Sequence, residues 1–173
     1  MLQSIKLFAT YNASTNEKVH NLLLGLEPLL YFQERNTYFK SIQGLHLHII
    51  LISKLLQSLI RTNSDGKYFV SPYTKEAFEV KPLTLDESSK LLSTYDKNLL
   101  EFSEQLDEKD VTHPKTKCTM GSGRTFLLSI SDLMTHYMVH TVHHRGQLSQ
   151  ILDELGIEHD IGSTLAFAEE VKE

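Results

Sequence analysis

The chain has 173 residues, of which 40% are apolar and 23% charged, enough to bury a hydrophobic core without a disulfide or a structural metal. Its formal net charge is −5 and its 17 lysines and arginines are scattered, which argues against a nucleic-acid partner. Cys118 is the only cysteine, so an internal disulfide is excluded and a reducing compartment is expected. Cys118 is interpreted as a loop or packing residue in preference to a nucleophile.

Four segments carry apolar residues at the three- and four-residue spacings of amphipathic helices, and turn-forming residues separate them. This pattern predicts an all-α fold in a single domain that covers residues 1–173. The first residues lack the apolar stretch of a secretory signal, and no apolar run is long enough to span a bilayer. We therefore expect a cytoplasmic protein that makes no membrane contact.

The first two helices are bounded by residues that start or stop helices. The first is predicted from Leu2 to about Phe32, with a break at Pro28 and a short second piece after it, because proline lacks a backbone donor. The second is predicted from about Ser41 to about Arg61, before the turn-forming residues 63–67. It is the most apolar of the set, so we expect it to be well buried.

The last two helices carry capping signals at their first residues. Thr84, followed three residues later by Glu87, predicts a helix that runs to about Leu106. Ser129 predicts the start of the final helix, which should end at Gly156. Two segments, residues 66–73 after the second predicted helix and residues 121–129 after the third, mix apolar residues with helix-breaking residues. They are expected either to pair as a two-stranded ribbon or to remain extended loops.

The final helix concentrates histidines at metal-binding spacing. His136, His140 and His144 recur every four residues, so their side chains point into the same space one turn apart. The outer two are about 12 Å apart along the helix axis, too far to share one ion with bonds of about 2.0–2.1 Å. At most one adjacent pair should therefore bind a metal directly.

A third ligand has to come from a facing helix, since a helical pair supplies only two. The second helix offers His46 and His48, which lie about 200° apart around its axis and cannot both face inward. His48 extends the apolar stripe of that helix better, so it is the predicted inward ligand. The alternative is that these imidazoles are surface residues or core residues bonded to carbonyl groups. Three neutral imidazoles suit Zn, Ni, Cu or Fe and leave a coordination position open for water or substrate.

Three stretches resemble the DinB family (DinB/YfiT-like proteins). They are "HYMVHTVHHRGQLSQILDELGIEHD" at 136–160, "YNASTNEKV" at 11–19 and "KSIQGLHLHII" at 40–50. The resemblance implies an up-down-down-up four-helix bundle with long connections, often dimeric, in which His48, His140 and His144 hold a divalent metal ion. The chain departs from the family's pattern because it lacks tryptophan and has the apolar run "IILIS" after His48.

The resemblance also implies a function. It favours a metal-dependent enzyme of thiol transferase or hydrolase type, with Zn or Ni, a small-molecule substrate, a low-molecular-weight thiol as a candidate cofactor, and a homodimeric assembly. A non-catalytic metal-binding protein related to stress, or a dimerisation module, is the alternative from another class. A bundle whose histidines bind nothing in the cell is the third reading.

Neighbours of the metal-binding motif carry further predictions. Arg145 and Gln147 are expected to point away from the metal and to serve helix packing or a salt bridge. Gly146 costs about 1 kcal/mol in a helix interior, which predicts that a neighbouring element approaches closely there. His136 and His143 are expected to line the pocket, lie on the surface or hydrogen-bond to a ligand.

Overall fold

The computed structural model describes residues 1–62, 68–70, 83–112, 115–119 and 123–164. In chain order its elements are α1 (Leu2–Leu24), α2 (Pro28–Phe32), α3 (Ile42–Leu59), β1 (Ile60–Thr62), β2 (Tyr68–Val70), α4 (Leu85–Gln105), α5 (Glu108–Val111), β3 (Thr116–Thr119), β4 (Thr125–Leu128) and α6 (Ile130–Glu154). The all-α prediction is confirmed for these residues, with two small antiparallel strand pairs added.

The four long helices α1, α3, α4 and α6 pack on one another. Helix α4 lies against both α1 and α3, and α3 also lies against α6. Their apolar side chains meet in two clusters, represented by Phe8, Leu56, Leu99 and Met134 in one and by Val19, Ile50, Leu92 and Leu152 in the other. None of the described helices is both long and apolar enough to cross a membrane.

Helix boundaries follow the capping signals of the sequence. Helix α1 ends before Gly25, and Pro28 occupies the first turn of α2, where its missing N–H costs nothing. The Ser41 hydroxyl accepts a hydrogen bond from the Gly44 amide at 3.0 Å and so caps α3. Complete capping boxes start α4 at Thr84 and α6 at Ser129, as the sequence predicted.

The turn before α3 is held close to that helix by Gly44. A Cβ atom at position 44 would lie 2.1 Å from the Phe39 carbonyl oxygen, so only glycine fits there. Lys40 completes the turn with a φ of 66°. This close approach places the Phe39 side chain beside the first turns of α3.

Of the two alternatives expected for residues 66–73 and 121–129, a ribbon between them is wrong for the described residues, and remaining extended loops is not what their strands show either. Strand β2 pairs with β1, and β4 pairs with β3, so each strand bonds to its neighbour in the sequence. Short loops make such pairings the least costly in closure entropy. Parts of both predicted segments, residues 66–67, 71–73 and 121–122, lie outside the described residues. Cys118, on β3, is fully buried in the first apolar cluster, which confirms its interpretation as a packing residue.

Candidate metal centre

Three histidine side chains converge between α3 and α6. His48 comes from α3, and His140 and His144 come from successive turns of α6. The Nε2 atom of His140 lies 3.0 Å from that of His48 and 3.0 Å from that of His144. One ligand atom from each residue lies within 4.8 Å of the other two. The structure thus brings together the three residues that the sequence named as metal ligands.

The spacing of these nitrogens fits a tetrahedral metal ion. Two imidazole nitrogens bound at about 2.0–2.1 Å to one tetrahedral ion are separated by about 3.3 Å. The observed 3.0 Å separations are within a few tenths of an ångström of this distance. The remaining pair, from His48 and His144, lies within 4.8 Å.

The three imidazoles favour the neutral form that binds metals. Partial burial, together with the nearby His144 ring, lowers the pKa of His48 and of His140 to about 4. The pKa of His144 is also lowered by burial, although its hydrogen bond to Gln147 opposes the shift. Neutral rings offer the lone pair that a metal requires.

Each of the three rings is held by a different neighbour. The Nδ1 atom of His144 lies 2.7 Å from the Gln147 amide oxygen. The His48 ring packs against Phe39, with centroids 4.6 Å apart and ring planes 33° apart. The His140 ring packs against the exposed His136 ring, with centroids 5.3 Å apart. His136 therefore contacts a member of the trio without joining it.

Gln147 does not point away from the trio, and that prediction is wrong. Because the amide oxygen can only accept, His144 Nδ1 must donate, and the proton cannot sit on Nε2. The hydrogen bond therefore fixes the tautomer in which Nε2 carries a free lone pair. Gln147 lies three residues after His144, a spacing at which side chains on a helix are neighbours.

The expectation that only one of His46 and His48 faces the interior is also wrong. His46 is 4% exposed, and its Nδ1 atom lies 3.1 Å from the Tyr31 hydroxyl. Tyr31 belongs to α2, which packs on α3. Since His46 and His48 lie about 200° apart around α3, α2 covers the His46 side of that helix and the trio forms on the other side. His46 is therefore a buried residue with its own partner.

Arg145 points away from the trio, as predicted, into a buried polar network. Its side chain is 3% exposed, and its Nη2 atom donates to the side-chain oxygens of Asn12 and Asn16, the latter at 3.2 Å. The amide nitrogens of Asn12 and Asn16 donate to the Asp96 carboxylate at 2.6 and 2.9 Å. Two asparagines therefore bridge a buried guanidinium and a buried carboxylate, and tie α1, α4 and α6 together.

The predicted close approach of another element at Gly146 is wrong. A Cβ atom built on Gly146 meets no atom within 4 Å. The position faces a cleft beside the centre, which is also lined by His143. His143 is exposed, and its ring centroid lies 5.0 Å from that of His144.

Comparison with known proteins gives a consistent assignment. The family model described as "DinB family" matches residues 1–170 of the chain. A solved structure of a DinB-like protein from Bacillus subtilis is similar, with a TM-score of 0.55 and 18% sequence identity, covering 88% of this chain and 93% of that one. At that identity the likeness concerns the fold alone. No curated protein matches the chain.

Proposed function

The chain belongs to the DinB family, and from this premise we propose that it is a metal-dependent enzyme in which His48, His140 and His144 hold one divalent ion. The observation that carries the proposal is the convergence of three imidazole nitrogens at 3.0 Å steps, from two helices. Imidazole nitrogens that bind no ligand usually form hydrogen bonds to carbonyl groups or water. The Nε2 atoms of these three histidines instead point at one another.

Zn or Ni is the proposed ion, since three neutral imidazoles suit either metal. When bound, such an ion lowers the pKa of a ligated water or thiol, which would serve a hydrolase or a transferase that uses a low-molecular-weight thiol. The chain's own residues prepare the site: Gln147 fixes the tautomer of His144, and Phe39 shields one face of the His48 ring. The proposed substrate is a small molecule.

The long connection between α3 and α4, residues 60–84, supports the finer architecture that we propose. In an up-down-down-up bundle the two middle helices run parallel, which a short loop cannot achieve. Homodimeric assembly is part of the same proposal.

A non-catalytic metal-binding bundle or dimerisation module is the second candidate. One observation favours it: among the described residues, no Asp or Glu oxygen joins the three-histidine group, so a carboxylate general base is not at hand. The same ion would then serve stability.

Metal analysis of untagged protein tests the shared part of both candidates. We expect about one equivalent of Zn or Ni per chain after loading and desalting, and almost none in His140→Ala. His136→Ala is the matched control, because it removes an exposed histidine from the same helix and should keep the metal. Equal metal content in the two variants would contradict the proposal.

An activity screen separates the two candidates. The metal-loaded protein is tested with low-molecular-weight thiols and electrophilic acceptors, and in parallel with esters and amides. Turnover that is lost in His140→Ala supports the enzyme. If the metal-bound protein turns over neither the thiols with acceptors nor the esters and amides, the non-catalytic candidate is supported.

A further inference from the structure

A cleft of about 550 Å³ lies beside the histidine trio, between residues 37–41 and the second half of α6. Its walls are mainly apolar and include Tyr38, Phe39, Leu45, Val142 and Ile151. Tyr38 is 88% exposed and stands at the rim, although an aromatic ring would normally be covered. This size and lining are typical of a small-molecule site.

The cleft and the histidine trio share a wall. Phe39 lines the cleft and also contacts two rings of the trio, with centroids 4.6 Å from His48 and 5.2 Å from His144. Gln147 lines it as well, and its amide oxygen bonds to His144. A molecule in the cleft therefore lies one side chain away from the proposed metal ligands.

Gly146 leaves the cleft open on the α6 side. Glycine destabilises a helix interior relative to alanine, so a packing reason would be expected for it. No neighbour supplies one, because a Cβ atom at position 146 would meet nothing within 4 Å. A side chain at position 146 would project into the cleft.

The charged lining of the cleft is acidic. Among the described residues that line it, Glu154 is the only Asp, Glu, Lys or Arg. Gln150 donates to the Glu154 carboxylate at 3.2 Å, so the two polar groups share one end of the cleft. Glu154 follows His144 by about 15 Å along the helix axis.

We propose that this cleft binds a small amphiphile with an apolar or aromatic body and a cationic end, the ammonium group meeting Glu154. The apolar body lies along Phe39, Leu45 and Ile151, and the other end is directed to the metal centre. The assignment of this molecule as substrate rests on the proposed function, whereas its binding does not. An anionic ligand is disfavoured because the lining carries a carboxylate and no lysine or arginine in the described part of the chain.

Three probes of equal length test the charge preference: 4-phenylbutylamine, 4-phenylbutanol and 4-phenylbutyrate. Their affinities for the full-length protein are measured at pH 7 by calorimetry or ligand-observed NMR, with and without Zn. We expect the amine to bind about 2- to 5-fold more tightly than the alcohol and at least about tenfold more tightly than the carboxylate. In Glu154→Gln the affinity for the amine should fall to that for the alcohol. The affinity for the alcohol should equal that of the parent protein.

Two substitutions at one position test the place of binding. Gly146→Leu fills the cleft and should abolish binding of all three probes, while Gly146→Ala should retain it and raise the thermal midpoint. Both variants should keep the helical circular dichroism spectrum and the cooperative thermal unfolding of the parent protein, which shows that they are folded.

The inference is overturned if the three probes bind alike, if none binds, or if Gly146→Leu leaves binding unchanged. Failure of the proposed function gives a different result. In that case the amine still binds with the expected preference, but the protein takes up no metal.

Discussion

His144 and Arg145 are adjacent on α6, yet they belong to polar clusters of opposite kinds. The guanidinium of Arg145 is buried, with its charge matched through Asn12 and Asn16 to the Asp96 carboxylate. The imidazole of His144 is one of three neutral rings whose Nε2 atoms face one another and, within the part of the chain that the structure describes, have no other hydrogen-bond partner. Helix α3 repeats the contrast two residues apart, since His46 is bonded to Tyr31 while His48 joins the trio.

The contrast separates structural polar residues from candidate ligands. A polar group that is paired within the fold contributes mainly to the stability of the fold. A cluster of neutral acceptors that face one another gains most from a cation bound between them. Substitutions in each cluster should separate the two roles, with the largest effect expected at Arg145.

Arg145→Met should destabilise the protein by about 3–5 kcal/mol, because it leaves a buried carboxylate without its matching charge. Chemical denaturation of the metal-free protein measures this. Metal content of the folded variant should match that of the parent. Pairing the change with Asp96→Asn should cost less than the two single changes added together. A loss of metal without loss of stability would reverse the roles given to the two clusters.

Gln147→Ala should weaken metal binding by about 10- to 100-fold with little change in the stability of the metal-free protein. The reason is that His144 loses the acceptor that keeps its proton on Nδ1. Competition with a metal-sensitive dye measures the affinity. Gln147→Glu is the matched control, because a carboxylate oxygen still accepts this hydrogen bond and should restore the affinity. Equal affinities in all three proteins would show that Gln147 plays no part in the centre.

Acidification should destabilise the metal-free protein through His46. Burial lowers the pKa of His46 to about 4, from 6.5 in the unfolded chain, so protons bind the unfolded state more strongly. The free energy of unfolding should therefore be highest above pH 6.5 and fall between pH 6.5 and 4. The loss from His46 amounts to about 2 kcal/mol between pH 7 and pH 5.

The His46 effect is isolated by comparing the parent protein with His46→Gln, which cannot take up a proton. The difference in unfolding free energy between the two proteins should change with pH over this range. His48 and His140 shift the stability in the same direction and are common to both proteins. A difference that stays constant from pH 7 to pH 5 would show that His46 does not titrate in this way.

Local signals predicted the helices well, because caps and breakers act within a few residues. Thr84 and Ser129 start their helices where the capping boxes placed them, and Gly156, with a φ of 70°, follows the end of α6. The convergence of His48 with His140 and His144 was only partly within reach, since spacing left two histidine pairs of the final helix open and the family resemblance chose between them.

The features that the sequence did not predict depend mostly on contacts between distant parts of the chain. The burial of His46 depends on α2 folding back over α3, and no periodicity within α3 reports that. Phe39 reaches the trio only because Gly44 lets the preceding turn approach the helix. Gln147 is a different case: its spacing from His144 placed it on the same face, and that signal in the sequence was available.

The most direct test of the central claim is a crystal structure of the zinc-loaded protein with data collected on both sides of the zinc absorption edge. We expect one strong anomalous peak per chain, about 2.0–2.1 Å from the Nε2 atoms of His48, His140 and His144. A map with no peak among these three rings, in a crystal that contains zinc, would contradict it.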